Sequence, residues 1–330
     1  MVSASKITRS DGITQRTCTF KLSINAAINA AIHDSNSLNH SSIYHTINLV
    51  DTHRNINMHL ILTGATGLVG SAVLDAMLNN SAISKISILS RRPVQMAEDA
   101  KDPRVHVIDH KDFETYQPEL LEKLKDADGC VWALGTSQNN VNKEYVNTNL
   151  NTHKSSRSNL TLNRQYVKIT KDYVLAAAKA FSTLKPSNPP FRFIHVSGEG
   201  ATQEPGTFSQ LFAKVKGEIE ADIGEISAKH PETFQADSVR PAFVDPATHE
   251  AIKPYIPSNP GILYKVGMVL LGPGIRHLYK SMHSPTDQLG PFLTEMAMGK
   301  MDGKLQGPGV FKLGGGWVVE NKGIRRMMGL

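Results

Sequence analysis

The sequence has few of the features on which several protein classes depend. Two cysteines, Cys18 and Cys130, are too few for a disulfide framework. The apolar stretch at 262–271 is too short for a bilayer and carries Lys265. With 40% hydrophobic and 20% charged residues, the composition is that of an ordinary globular protein. We therefore predict a cytoplasmic protein without a transmembrane segment.

Acidic residues are slightly fewer than basic ones, and most of the basic excess lies in two segments of the chain. The formal net charge is +6, which spread over the whole chain would suggest a nucleic-acid partner. Residues 1–57 carry a net charge of +2, and residues 145–165 contain three basic residues and no acid. Since the rest of the chain is close to neutral, the sequence predicts no nucleic-acid partner.

The first 57 residues show little apolar periodicity and are rich in Ser, Thr, Asn and His. We interpret 1–57 as a disordered or spurious extension, because Met58 directly precedes the first recognisable strand. The alternative is a mitochondrial transit peptide, for which the basic, acid-poor stretch up to His33 is typical. The protein would then be mitochondrial.

A strand, a glycine turn and a helix follow one another from residue 59. His59 to Thr63 is a short apolar run typical of a buried parallel strand, and a helical pattern begins at Ser71. Glycines between them suit a tight turn, close approach of the backbone to a pyrophosphate, and packing of helix on strand. The pattern predicts a dinucleotide site. Its residues in this turn are Gly64, Thr66, Gly67, Leu68, Val69 and Gly70.

Arginines stand where an acid usually sets NAD specificity. Arg91 follows the second strand, Lys85 to Ser90, and lies 21 residues after Gly70. An acid at this place binds the ribose 2′-hydroxyl of NAD, whereas arginine suits a 2′-phosphate. We predict that Arg91 and Arg92 favour NADP(H), with NAD(H) as the second choice. The alternative is a solvated basic pair.

Two further strands extend the candidate cofactor site. Asp112 follows a third strand at Val105 to Ile108 and is assigned an adenine-side contact, although an exposed loop acid fits the pattern equally well. A fourth strand is predicted from Gly129 to Gly135, and the backbone of Leu134 and Gly135 is assigned to the nicotinamide half.

The second half of this region supplies more specific motifs. A fifth strand, Phe191 to Val196, ends in Ser197, and a later helix carries the sequence Val215-Lys216-Gly217-Glu218. With the glycine turn, these segments resemble the atypical short-chain dehydrogenase/reductase family, in its Tat-interacting oxidoreductase-like, nucleoside-diphosphate-sugar epimerase-like branch. The resemblance covers most of Met58 to Asp245. It implies an α/β fold, a doubly wound Rossmann fold with a parallel sheet and a small C-terminal substrate lobe.

In that family a strand-end serine orients the substrate carbonyl, a tyrosine transfers the proton, and a lysine four residues later lowers the tyrosine pKa and holds the nicotinamide ribose. The resemblance assigns catalytic roles to Ser197 and Lys216, and a cofactor contact to Lys216. The tyrosine position is Phe212, which has no proton to transfer. The alternatives are a turn hydroxyl for Ser197, an i,i+4 pair with Glu220 for Lys216, and a core position for Phe212.

Residues 145–165 interrupt the resemblance. The sequence around Tyr145 is echoed around Tyr166, 21 residues later, and removing Tyr145 to Gln165 restores a family-like sequence. The removed piece is mostly Asn, Ser and Thr, which is typical of disorder. It is either a loop insertion or translated non-coding sequence. A genuine loop would lie over the nicotinamide side of the cleft.

We divide the rest of the chain into a Rossmann domain at 58–250 and a C-terminal substrate lobe at 251–330. The lobe contains a predicted helix at Gln288 to Gly299 and ends in a basic tail at Asn321 to Arg326. The apolar stretch 262–271 is interpreted as a helix of this lobe, with weak membrane association or an oligomer surface as the alternative. The scattered histidines predict no metal site.

Two functions remain open at this point. The first is an NADP(H)-dependent oxidoreductase or epimerase-like enzyme that acts on a small carbonyl or sugar-like substrate with an unconventional proton donor. The second is a catalytically weak, NADPH-bound regulatory or scaffold protein with a protein partner.

Overall fold

The computed structural model describes residues 57–135, 166–184, 189–207, 209–256, 274 and 279–330. The predictions for residues 1–56, 145–165 and 262–271 lie outside these residues. Within the described ranges, the strands form two sheets. The strands are β1 (Met58–Thr63), β2 (Ile83–Ser90), β3 (Val105–Asp109), β4 (Gly129–Trp132), β5 (Phe191–Val196), β6 (Phe234–Arg240), β7 (Phe243–Asp245), β8 (His283–Pro285), β9 (Val310–Leu313) and β10 (Gly316–Glu320).

The larger sheet has eight strands in the order β3-β2-β1-β4-β5-β6-β10-β9. Its neighbours are parallel except for β9 and β10, which are antiparallel. The first six positions have the order of a doubly wound Rossmann fold, so the predicted fold class is confirmed. The strand order reverses between β1 and β4. In such folds ligands bind outside the carboxyl ends of the strands at this point.

Seven α-helices accompany the strands in the described part of the chain. They are α1 (Leu68–Leu78), α2 (Gln95–Ala100), α3 (Pro118–Leu124), α4 (Tyr173–Phe181), α5 (Leu211–Lys229), α6 (Thr286–Ala297) and α7 (Asn321–Met327). A π-helical segment, Lys168–Asp172, leads directly into α4. The helix α4 therefore continues a π-helical segment rather than beginning on its own.

Helices cover both faces of the sheet because its central strands are apolar on both. All six residues of β1 are buried; Leu60 and Leu62 belong to one core cluster and Ile61 to the other. The first cluster contains α1 and α6, which approach so closely that a Cβ at Gly290 would lie 2.3 Å from the Ala72 carbonyl oxygen. The second contains α4 and α5. Continuous apolar strands predict this layered arrangement.

Part of the region predicted as a C-terminal lobe belongs to the main sheet. β10 pairs with β6, and β9 forms the edge beyond it. The segment predicted as a basic tail is helical: α7 begins at Asn321, buries Ile324 and is tied down by Arg325, which donates to the His283 carbonyl oxygen at 2.8 Å. β7 and β8 form a separate parallel pair. Among the described helices, none is long and apolar enough to cross a membrane.

Candidate active site

The turn after β1 is shaped by two glycines that tolerate no side chain. Gly64 has a φ of +73°, and a Cβ there would lie 2.4 Å from the Ala133 carbonyl oxygen beyond β4. A Cβ at Gly70 would lie 2.0 Å from the Gly64 carbonyl oxygen. The turn can therefore lie against both α1 and the end of β4 only with glycine at these positions.

Gly67 differs from these two glycines because little around it excludes a side chain. Its φ is −99°, and a Cβ would meet one atom, the Gly64 carbonyl oxygen, at 3.2 Å. Gly67 is the N-cap of α1, a helix that no side chain caps among the described residues and whose first turn has no acid. Its first N–H groups are therefore suited to an anion such as a pyrophosphate. The other residues assigned to the turn, Thr66, Leu68 and Val69, are half-buried.

Arg91 and Arg92 follow β2, the neighbour of β1 in the sheet. Both are exposed, and neither guanidinium pairs with another residue of the described ranges. The Ser90 hydroxyl donates to the Arg92 carbonyl oxygen at 2.7 Å and lies 3.2 Å from the Arg92 N–H, which fixes the backbone of the pair. Two cationic residues thus follow β2 at the carboxyl ends of the strands, where the glycine turn after β1 also lies.

The remaining predicted cofactor contacts lie in two places. The Leu134 N–H donates to the Thr63 hydroxyl at 3.3 Å, so Leu134 and Gly135 follow β4 beside the end of β1. Asp112 is exposed, and its carboxylate accepts from the Glu114 N–H at 3.0 Å and from a nearby threonine hydroxyl at 2.8 Å. Asp112 stabilises its own turn, and its adenine contact stays a prediction.

Lys216 extends from α5 to the carboxyl end of β5. Its ammonium donates to the Ser197 carbonyl oxygen at 2.5 Å and lies 3.4 Å from the Val196 carbonyl oxygen. The Nζ atom is 5.3 Å from the centre of the Phe212 ring, one helical turn earlier. Burial lowers the pKa of Lys216 to about 8, against an opposing effect of the Glu220 charge. The strands β1, β4 and β5 are consecutive and parallel in the sheet. The lysine and the glycine turn therefore both lie at the carboxyl ends of these strands.

Ser197 meets Lys216 through its backbone, not its hydroxyl. The hydroxyl is buried and donates to the Glu220 carboxylate at 2.6 Å. Glu220 also accepts from the Gln203 amide at 2.6 Å and from Arg240, whose Nε and Nη2 lie at 2.9 and 2.5 Å. The carboxylate thus pairs with Arg240 rather than with the lysine. This buried network fixes the strand end on which the ammonium rests.

Gly198 is the position that faces the lysine, and sequence reasoning missed it. A Cβ there would lie 3.0 Å from the Phe212 Cζ atom and 3.5 Å from the Lys216 Nζ atom. Successive side chains of an extended segment point to opposite sides, so the neighbouring Ser197 directs its hydroxyl elsewhere. The sequence did contain a signal for this: a glycine directly after the strand-end serine lies on the opposite side of the chain from the serine hydroxyl. Beside the ammonium, positions 198 and 212 both lack a hydroxyl.

Phe212 lies at this site and outside both core clusters. It is half-buried, whereas Val215 and Ile219 on the same helix are core residues. The apolar stripe of α5 therefore explains Val215 and Ile219 but not Phe212. Its ring lies beside both Gly198 and Lys216, with the Cζ atom 3.0 Å from where a Gly198 Cβ would be and the ring centre 5.3 Å from Nζ.

A row of buried polar side chains crosses the sheet near Lys216. His195 of β5 pairs in register with Trp132 of β4 and Ser238 of β6. All three are buried, and their side-chain polar atoms have no hydrogen-bond partner among the described residues. Burial, together with the Lys216 charge, lowers the pKa of His195 to about 3, so the imidazole is neutral. Sequence reasoning did not single out this row, because it depends on the register of three separate strands.

Comparison with known proteins decides the family. No protein-family model matches the chain. Botcinic acid biosynthesis cluster B protein 16 of Botryotinia fuckeliana is 43% identical over 157 residues, which are 47% of this chain and 98% of the relative. Leucinostatins biosynthesis cluster protein T of Purpureocillium lilacinum is 36% identical over 62% of this chain and 71% of the relative. Protein HTATIP2 of Rattus norvegicus is 24% identical over 54% of this chain and 62% of the relative.

The chain belongs to one family with these two fungal biosynthesis cluster proteins, which it matches over 98% and 71% of their lengths. Solved structures agree in fold. Thermoplasma acidophilum aldohexose dehydrogenase matches with a TM-score of 0.52 at 13% identity, over 82% of this chain and 95% of that one. The PhqB reductase domain of Penicillium fellutanum matches with a TM-score of 0.51 at 16% identity, over 79% and 70%. The fold is the Rossmann fold that these dehydrogenase and reductase structures share, and the resemblance found in the sequence is confirmed.

Proposed function

We propose that this family member is an NADP(H)-dependent oxidoreductase that acts on a small carbonyl or sugar-like compound. The observation that carries the proposal is the position of Lys216. Its ammonium donates to the Ser197 carbonyl oxygen at 2.5 Å, at the carboxyl ends of the strands, where the glycine turn also lies. A Rossmann fold binds its dinucleotide across the carboxyl ends of its strands, so one dinucleotide can contact both the glycine turn and Lys216.

The residues present fit a dinucleotide. The N–H groups at the start of α1 suit its pyrophosphate, and the missing side chain of Gly67 allows close approach. Lys216 suits the nicotinamide ribose, Leu134 and Gly135 the nicotinamide half, and Asp112 the adenine side. When bound, the reduced cofactor supplies a hydride to the substrate.

The preference for NADP(H) rests on Arg91 and Arg92. Both guanidiniums are exposed and have no partner in the described part of the chain. They lie one strand away from the glycine turn, where a planar cation can bind a 2′-phosphate through two hydrogen bonds. NAD(H), which lacks this phosphate, would gain nothing from them.

Catalysis in this proposal depends on Ser197 and Lys216, with Phe212 in place of the usual tyrosine. Ser197 acts by positioning the ammonium through its carbonyl oxygen. We assign the substrate pocket to the lobe at 251–330, and within it to α6 and β8, since β9 and β10 belong to the main sheet.

A second candidate is an NADPH-bound regulatory or scaffold protein. One observation favours it: neither Gly198 nor Phe212, the two residues beside the ammonium, carries a hydroxyl. Loss of a positioned general acid typically costs about 10²–10⁴-fold in rate. A chain that kept its cofactor site but lost this acid would bind NADPH with little turnover.

Titration of the purified full chain with NADPH and NADH, followed by nicotinamide fluorescence, tests the proposal. A screen of aldehydes, ketones and quinones for NADPH oxidation then separates the two functions. Turnover that Lys216→Ala abolishes supports the oxidoreductase, and binding without turnover supports the scaffold. Lys229→Gln, at the exposed far end of α5, is the matched control. Failure to bind either cofactor would contradict both functions.

A further inference from the structure

The ammonium of Lys216 has one more N–H donor than it has acceptors among the described residues. An ammonium has three N–H donors. The Ser197 carbonyl oxygen at 2.5 Å takes one, and the Val196 carbonyl oxygen at 3.4 Å is the second acceptor. Gly198 offers no side-chain acceptor, and the nearest side chain there is the Phe212 ring, whose Cζ atom would lie 3.0 Å from a Cβ at Gly198. The third N–H therefore has no acceptor among the described residues and is the one that a bound substrate oxygen would use.

We propose that Lys216 itself delivers the proton to the substrate oxygen, in place of a hydroxyl side chain. This role rests on the proposed function, because it requires a carbonyl substrate and a reduced nicotinamide cofactor. It departs from the family pattern, in which the lysine acts through a tyrosine. The geometry points to the lysine because its Nζ atom adjoins the two positions, 198 and 212, that carry no hydroxyl.

Other proton donors in the described part of the site are less suited. The Ser197 hydroxyl is buried and donates to Glu220. His195 is buried and neutral. Tyr166 is only 1% exposed, and the ring of Tyr173 lies 5.9 Å from that of Phe113, against the second core cluster. Lys216, in contrast, keeps one N–H without an acceptor among the described residues.

The charged and titratable groups around Lys216 leave it an effective acid near neutral pH. Glu220, on the next turn of α5, raises its pKa, but this carboxylate is itself paired with Arg240 of β6. His195 of β5 carries no charge. Burial dominates and lowers the lysine pKa to about 8, compared with about 10.4 for a free lysine. General acids work best when their pKa lies close to the working pH.

The step balances without a further reagent. The carbonyl carbon gains a hydride from the reduced nicotinamide, a C–H bond forms, and the C=O π pair moves to oxygen. That oxygen takes a proton from Nζ of Lys216, so an O–H bond forms as an N–H bond breaks. The substrate is reduced to the alcohol, the cofactor is oxidised, and the neutral lysine takes a proton from water.

Two measurements on the full chain test this role. The ε-carbon NMR resonances of ¹³C-lysine, followed against pH without cofactor, should show one lysine titrating near pH 8 that disappears in Lys216→Arg. Arginine keeps the positive charge but does not release a proton in this range. We therefore expect Lys216→Arg to bind NADPH within a few-fold of the wild type and to lose about 10²-fold or more in turnover. Lys229→Arg should change neither.

Restoring a hydroxyl gives a third variant. Phe212→Tyr combined with Lys216→Arg should recover part of the lost turnover, because the new phenol adjoins the cation.

A Lys216 that titrates above pH 10, or a Lys216→Arg variant with full turnover, would overturn the role of Lys216 as proton donor and leave the proposed oxidoreductase function standing. NADPH binding with no turnover on any carbonyl would overturn it in favour of the scaffold. A chain that binds no NADPH would overturn the proposed function itself.

Discussion

The two sides of the site are specified in different ways. On the cofactor side, Gly64 and Gly70 are required by backbone contacts of 2.4 and 2.0 Å. On the reactive side, around Lys216, the ammonium is positioned by the backbone at the end of β5. The buried ion pair of Glu220 and Arg240 stabilises this strand end. The cofactor side thus follows the general Rossmann pattern, whereas on the reactive side the two positions beside the ammonium, 198 and 212, carry no hydroxyl. The comparison indicates that the two sides of one site are built from different kinds of contact.

The largest effect is expected from the side-chain network of the reactive side. Glu220→Ala leaves the buried guanidinium of Arg240 without its carboxylate, and breaking such a buried pair typically costs about 3–5 kcal/mol of unfolding free energy. Denaturant unfolding measures this loss, and Glu225→Ala, at an exposed position on the same helix, is the control. A loss below about 1 kcal/mol would place the pair in the range of exposed salt bridges. The strand end would then be held by other contacts.

Two of the three glycines of the cofactor turn, Gly67 and Gly70, should respond differently to one added methyl group. Gly70→Ala forces a Cβ against the Gly64 carbonyl oxygen, and overpacking of this kind costs about 1–3 kcal/mol. Gly67→Ala has more space and should cost about 1 kcal/mol or less as an N-cap change, while weakening NADPH binding more than it weakens the fold. Thermal unfolding and NADPH titration of both variants check this. Equal losses of stability would remove the argument that Gly67 serves the ligand.

The choice of cofactor should depend on the strand next to the turn. Arg91→Ser removes a cation assigned to the 2′-phosphate, and a charge-assisted hydrogen bond is worth about 1.5–3 kcal/mol. We expect NADPH affinity to fall about tenfold or more while NADH affinity changes little. Parallel fluorescence titrations measure both. The assignment would be wrong if the two affinities fell together, or if neither changed.

The pH dependence should come from the reactive side alone. Since Lys216 donates in its protonated form and its pKa is about 8, carbonyl reduction should be level at lower pH and fall about tenfold per pH unit above 8. NADPH affinity should change much less over the same range. Initial rates at saturating NADPH from pH 6 to 10, in about half-unit steps, provide the test. A rate that stays level through pH 9 would exclude Lys216 as the donor.

The sequence predicted most of the Rossmann core because its signals are local. β5 was predicted at its observed bounds, Phe191–Val196, since a short apolar run ends at a turn. β4 ends at Trp132 rather than Gly135, because the chain leaves the ladder where it meets the glycine turn. β9 and β10 were missed because they are short and the loop between them is rich in glycine.

The site was predicted less completely, because its contacts join distant parts of the chain. The turn glycines could be named from their spacing and the lysine from the family resemblance, but neither gives the direction of a hydroxyl. That Ser197 points to Glu220 and that Gly198 faces Lys216 depends on how β5 and α5 meet. The row of His195, Trp132 and Ser238 depends on the register of three strands. Neither is encoded in a local pattern.

The central claim is that the chain retains an NADP(H) site while its chemistry rests on an altered lysine site. Titration of the full chain with NADPH and with NADH, followed by cofactor fluorescence, tests its foundation most directly. The account predicts saturable binding of NADPH, about tenfold or more tighter than that of NADH. Absence of binding by either cofactor would contradict it.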